Sequence, residues 1–179
     1  RKRKGAIKLH SLYDLQRGIP TVSVLTEGKD HEAKIAKHTA FMPCPDSIIV
    51  FDRGYNDFTQ FQSYTDKGVW FVTRAKKNIA YTITGQHLKN SKEGVYFDDT
   101  IAVSSDGYTG PLRLIGYFDE TTQKVFQFLT NNFFLTALQI AEIYKSRWAI
   151  ELFFKWLKQN LKVKTFVGTS KNAVYSQIW

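Results

Sequence analysis

The sequence predicts an α/β protein built on a mixed sheet, with a β-rich insertion ahead of a long C-terminal helix. Three observations predict it. Two apolar runs, SIIVF and VWFVTR, flank a helical stretch, FTQFQSYTDKG, and strand, helix, strand is the order of a parallel βαβ unit. Residues 79–132 are rich in Thr, Gly and Asp and alternate apolar with polar positions in short segments such as YTIT, GVYFDDTIAV, LRLIGYFD and KVFQFLTN. Residues 137–160 contain no Pro or Gly and are dense in good helix formers.

The 179 residues, 43% of them hydrophobic, suffice for a real core. A formal charge of +9 and a pI near 9.6 point to a polyanionic partner. Aromatic residues make up 15% of the chain, and cations interleaved with rings suit nucleic acid better than a bare lysine tail. The single cysteine, Cys44, excludes an internal disulfide framework and a cysteine-based zinc cluster, and fits a reducing cytoplasm. No apolar run approaches the ~20 residues of a membrane span. The chain starts at Arg1, has Met42 as its sole methionine and stops inside apolar AVYSQIW, so an internal fragment of a longer protein is expected.

After the basic RKRK start, Ala6, Ile7, Leu9 and Leu12 mark a strand. Gln16, Arg17 and Gly18 make a turn, and Ile19, Thr21, Val22 and Val24 mark the second strand of an antiparallel hairpin. Asp30 caps a short helix, HEAKIAKHTA, which Pro43 and Pro45 end. His10, His31 and His38 are dispersed without ligand spacing, so no zinc site is expected. SIIVF reads as a strand buried on both faces. It ends in Asp52, and an acidic residue at the C-terminal tip of such a strand stands where α/β sheets place their chemistry. Arg53 and Gly54 begin the turn, and Asp57 caps the next helix. Asp98 with Asp99, and Asp119 with Glu120, read as solvated turns of the insertion rather than metal ligands.

The stretch from 137 to 160 reads as one uninterrupted helix of about six turns. With ~100° per residue, Tyr144, Arg147, Glu151 and Lys158 fall within an arc of roughly 60°. Most of the remaining circumference is apolar, including Trp148, Leu152, Phe153 and Trp156, which describes a buried helix with one polar stripe facing a cleft. Pairs such as Arg147–Glu151 and Glu151–Lys155 are commonly solvated and contribute a few tenths of a kcal/mol. The stripe gains meaning from Asp52 upstream.

This order of elements resembles the ribonuclease H-like fold, and the chain as a whole resembles the DDE transposases of bacterial insertion sequences, in the IS-four group. The resemblance rests on GAIKLH with its hairpin, on VFDRGYNDF, and on the signature Tyr-x2-Arg-x3-Glu-x6-Lys, present as Tyr144, Arg147, Glu151 and Lys158 between LTNNF and FVGTSKNAV. It implies residues 1–78 as the N-terminal part of a ribonuclease H-like core, 79–132 as the β-rich insertion, and 133–179 as the catalytic helix and the start of the C-terminal region.

The resemblance further implies metal-dependent cleavage and strand transfer of double-stranded DNA at insertion-sequence ends, in a bacterial cytoplasm and at the nucleoid, with a homodimer pairing the ends. Asp52 and Glu151 would be catalytic and hold Mg²⁺ or Mn²⁺, for which carboxylate oxygens are suited. Arg147 and Lys158 would meet DNA phosphates, Tyr144 would add a hydroxyl contact, and Trp148 would stack on an unpaired base. The family's further metal-binding Asp belongs to a central strand that precedes the segment matching residues 1–15. A chain without it is expected to fold poorly and to be inactive alone. Two other readings stay open: a ribonuclease H-like nuclease on other DNA structures, and a non-enzymatic basic DNA-binding remnant.

Overall fold

The structure is a computed structural model that describes residues 7–27, 41–89 and 94–160. Its strands are β1 (Ile7–Asp14), β2 (Ile19–Glu27), β3 (Ile48–Phe51), β4 (Trp70–Arg74), β5 (Tyr81–Lys89), β6 (Val95–Val103), β7 (Leu112–Asp119) and β8 (Lys124–Thr130). A 3₁₀ turn (Arg53–Tyr55) follows β3, and the helices are α1 (Phe58–Asp66), α2 (Ala137–Ser146) and α3 (Trp148–Asn160). The chain divides into two compact units, Arg1–Arg147 and Trp148–Trp179, so α3 is described by itself.

The expected hairpin forms, with Ile7 opposite Glu27 and Asp14 opposite Ile19. Its turn depends on two residue types. Gly18 takes a left-handed φ of +69° that a side chain disfavours, and the Asp14 carboxylate accepts the N–H groups of Gln16 and Arg17 at 2.9 and 3.0 Å. The helix expected over HEAKIAKHTA lies outside the described residues.

Six strands make the main sheet in the order β3-β4-β8-β7-β6-β5, with β3 and β4 parallel and the remaining neighbours antiparallel. The four strands of segment 79–132 thus extend the sheet begun by β3 and β4. Period-two alternation sorts its side chains into two cores. Phe71, Leu112, Leu114 and Leu129 meet Phe61 and Tyr64 of α1 on one face. Val72, Ile115, Tyr117 and Phe128 meet Ala137, Ile140, Ala141 and Tyr144 of α2 on the other. The Phe61 and Phe71 rings stack with centroids 4.3 Å apart, at the centre of the first core.

Asp57 caps α1 as expected, accepting the Gln60 N–H at 3.1 Å. The apolar run of β3 does pack on both faces, Ile49 and Phe51 on the α1 side, Ile48 and Val50 on the α2 side. The strand is nonetheless half-buried along its whole length, because among the described residues it has a neighbour on only one edge. The expectation of a fully buried strand is corrected to that extent.

The LTNNF segment joins β8 to α2. Asn131 substitutes for a strand partner at the start of β4: its Oδ1 accepts the Phe71 N–H at 2.8 Å and its Nδ2 donates to Val69 O at 3.0 Å. Asn132 accepts the N–H groups of Phe134 and Leu135, and a capping box between Thr136 and Gln139 starts α2.

Two further expectations are corrected. Residues 137–160 form two helices, not one. The Ser146 hydroxyl donates back to Ile143 O at 2.6 Å, and the Arg147 N–H bonds to Tyr144 O at 3.1 Å in a tightened last turn. Nor is α3 buried in the manner its apolar circumference suggested: Trp148 is 62% exposed, and Leu152 and Trp156 are exposed as well. Asp98 and Asp99 lie in strand β6, not in a turn, and both are buried. Arg113 on β7 explains Asp98, donating from Nε to Oδ1 at 2.6 Å and from Nη2 to Oδ2 at 2.5 Å. Asp119, also buried, ends β7 ahead of the turn that Glu120 enters.

Candidate active site

Asp52 stands just past the tip of β3 and caps the 3₁₀ turn, its Oδ1 accepting the Arg53 N–H at 2.7 Å. The residue is exposed. Three contacts fix the turn that presents it. The Asn56 amide accepts the Thr73 hydroxyl at 2.8 Å and donates to Arg74 O at 2.9 Å, and Lys76 Nζ donates to Asn56 O at 3.1 Å. Buried His10 of β1 links Tyr55 to the hairpin, with Nδ1 3.2 Å from the Tyr55 hydroxyl and Nε2 2.9 Å from the Thr26 hydroxyl.

The β3–β4 register pairs Phe51 with Thr73, so Asp52 follows β3 at the level of Arg74, which is still paired with Phe128 of β8. Arg74 lays its guanidinium over the Phe126 ring, 4.8 Å from the centroid. Tyr144, in the last turn of α2, is 8% exposed, and its ring lies 4.9 Å from that of Phe128. Arg147, which ends α2, sits over the Tyr144 ring at 5.5 Å. The Tyr144 hydroxyl is buried without a well-formed hydrogen bond among the described residues. Burial pushes its pKa above the ordinary value; Arg147 and Arg74 oppose the rise and Asp52 adds to it. The ring contacts that run from Arg74 through Phe126, Phe128 and Tyr144 to Arg147, with Asp52 following β3 at the level of Arg74, bring Asp52, Arg74, Tyr144 and Arg147 into one neighbourhood.

The remaining candidates belong to α3. Trp148 opens the helix, Glu151 lies half-buried in its first turn, where the helix dipole favours an anion, and Lys158 is exposed in its last turn, where it favours a cation. Seven residues apart, Glu151 and Lys158 share a face of this helix. The single arc drawn through all four signature residues applies only within each helix.

Arg74 and Asn56 escaped sequence reading. The available signal was the cation ending VTR, a strand that must lie beside SIIVFD in a parallel unit.

The family model described as Transposase DDE domain matches residues 1–179. The chain belongs to this family. The transposase DDE domain chain is 31% identical over 180 residues to a protein of Sinorhizobium fredii (strain NBRC 101917 / NGR234) named as transposase y4zB, covering 97% of this chain and 50% of that protein. It is 28% identical over 179 residues to a Geobacillus stearothermophilus protein named as transposase for insertion sequence element IS5377, covering 98% and 47%. Against a Synechocystis sp. (strain ATCC 27184 / PCC 6803 / Kazusa) protein named as transposase for insertion sequence element IS4SA it is 27% identical over 183 residues, covering 97% and 49%. The chain thus spans about half the length of the curated relatives it matches. Among the described residues, no helix is long and apolar enough to cross a membrane.

Proposed function

We propose that this chain is part of a DNA transposase core that cleaves and transfers strands at insertion-sequence ends, in a ribonuclease H-like fold. The observation that carries the reading is Asp52, an exposed carboxylate at a strand tip, in the same neighbourhood as Tyr144 and Arg147. In this proposal Asp52 and Glu151 are the carboxylates that hold Mg²⁺ or Mn²⁺. Asp52 suits the role: one oxygen is occupied by the Arg53 N–H, and the other accepts no hydrogen bond among the described residues. Among the described residues no cluster of three or more His, Cys, Asp or Glu forms, and in this proposal the further Asp that the resemblance implies completes the ligand set.

A divalent ion bound there supplies positive charge to the scissile phosphate and its leaving oxygen. The chain's own groups do the remaining work. Arg147 forks onto a phosphate beside the scissile one, and the Tyr144 hydroxyl adds a contact to the DNA backbone. Lys158 and Trp148 extend the contact, the first to a phosphate and the second to an unstacked base. In-line attack by water on the phosphorus breaks its bond to the 3′ oxygen, leaving a 5′ phosphate and a 3′ hydroxyl. That hydroxyl then attacks a target phosphodiester, joins the target's 5′ phosphate and releases the target strand's 3′ hydroxyl. A homodimer is the expected assembly for pairing two ends.

The test is cleavage of supercoiled DNA by the full-length protein with Mg²⁺ or Mn²⁺, measured alongside DNA binding. Asp52→Asn and Glu151→Gln are each expected to abolish cleavage and keep binding. Cleavage that survives either change would remove these residues from the catalytic set. Wild-type protein that binds DNA but cleaves none with either ion would favour a binding remnant instead.

A further inference from the structure

Among the described residues, two cations near Asn56 and Asp52 lack an anionic partner. Among the described residues neither Arg74 nor Lys76 forms an ion pair, and the Arg74 guanidinium donates no hydrogen bond. Contrast Arg113, whose donors are taken by Asp98 and by the carbonyls of Asn132 and Leu135. Arg74 is half-buried, and its planar group lies over the Phe126 ring. A guanidinium stacked in this way loses little freedom on binding and keeps its edge donors for a forked contact.

The stack continues inward. Phe126 lies parallel to Phe128, within 9° and with centroids 6.1 Å apart. Phe128 meets Tyr144 at 4.9 Å, and Arg147 covers Tyr144 at 5.5 Å. Arg74, three rings and Arg147 therefore form one ladder with a guanidinium at each end. Asp52 follows β3 at the level of the Arg74 end.

We propose that Arg74 is a second DNA phosphate grip, working with Arg147 on two phosphates of one strand and kept at a fixed separation from it by the Phe126–Phe128–Tyr144 ladder. The proposal rests on the reading of this site as a DNA site. Lys76, whose ammonium is anchored on the Asn56 carbonyl, adds charge without setting geometry. The ladder converts two flexible cations into a ruler for the phosphate spacing, which a loose basic patch does not provide.

The experiment measures binding of the full-length protein to a fluorescein-labelled duplex across a salt series. Arg147→Gln and Arg74→Gln are each expected to reduce the slope of log K against log salt by about 0.9, one phosphate contact apiece. Arg74→Lys is expected to keep the wild-type slope, since the charge remains, while binding several-fold more weakly for want of the stacked fork. An unchanged slope in Arg74→Gln, with the loss present in Arg147→Gln, overturns the proposal and leaves the transposase reading in place. Wild-type affinity in Arg74→Lys overturns the ladder's role. If wild-type binding shows no salt dependence, the DNA reading and the proposal fall together.

Discussion

Arg113 holds Asp98 through both of its carboxylate oxygens, at 2.6 and 2.5 Å, inside the sheet where both side chains are less than a tenth exposed. The same guanidinium reaches on to the carbonyls of Asn132 and Leu135, so one arginine ties β6 and β7 to the segment that starts α2. Removing either partner leaves a charge buried without compensation. Arg113→Ala and Asp98→Ala are each expected to cost about 3–5 kcal/mol. Their double variant is expected to lose clearly less than the sum. Urea unfolding of the three proteins measures this; additive losses would contradict it.

Asn131 makes the next prediction. Its amide satisfies both a donor and an acceptor of the backbone around β4, Phe71 N–H and Val69 O. Asn131→Ala orphans both and is expected to destabilise by about 1–3 kcal/mol for each buried group. Amide hydrogen exchange supplies a local readout: Phe71 should lose protection before its neighbours Val72 and Thr73.

Gly116 pairs with Phe97 across β6 and β7, and the Phe97 ring occupies the space a side chain at 116 would need. Gly116→Ala is expected to cost about 1–3 kcal/mol by overpacking. Shrinking the ring with Phe97→Leu in the same chain should recover part of the loss, and thermal melts of the single and double variants decide it.

Two titrations bracket stability in opposite directions. The Thr122 hydroxyl, the Thr121 N–H and Lys145 hold the Asp119 carboxyl below its ordinary value of 3.8. Its contribution is complete above that value and is lost as pH falls through the lowered one. Lys145 moves the other way. Its bond to the Tyr117 hydroxyl, with Asp119 nearby, raises it above 10.5, so its contribution is complete below 10.5 and fades as pH climbs through the raised value. Thr122→Ala should flatten the acid limb of a urea-midpoint profile and leave the alkaline limb alone. Tyr117→Phe should do the reverse.

What could be read from the sequence was local. The hairpin follows from alternation and a Gln-Arg-Gly turn, the α1 cap from Asp57, and the place of Asp52 at a strand tip from a short apolar run that stops at a charge. Failures came where a distant partner or a single hydroxyl decides. Asp98 looks like a turn residue until Arg113, 15 positions away, is brought beside it by strand pairing. The helix break depends on the Ser146 hydroxyl competing for a backbone carbonyl, which averaged helix propensity does not register. Arg74 became visible only when the parallel register set it at the level of Asp52.

The half-covered strand β3 has a consequence for handling the protein. Among the described residues, its outer edge faces no other strand, and an edge strand left uncovered offers a row of backbone groups to any extended chain, a second molecule included. With a net charge of +9, copies repel one another in dilute buffer. Salt shortens the reach of that repulsion to about 10 Å at 0.1 M and leaves the edge as sticky as before. Light scattering is therefore expected to increase as salt is added, and a column run in low salt should keep the chain monodisperse where the usual high-salt wash clouds it.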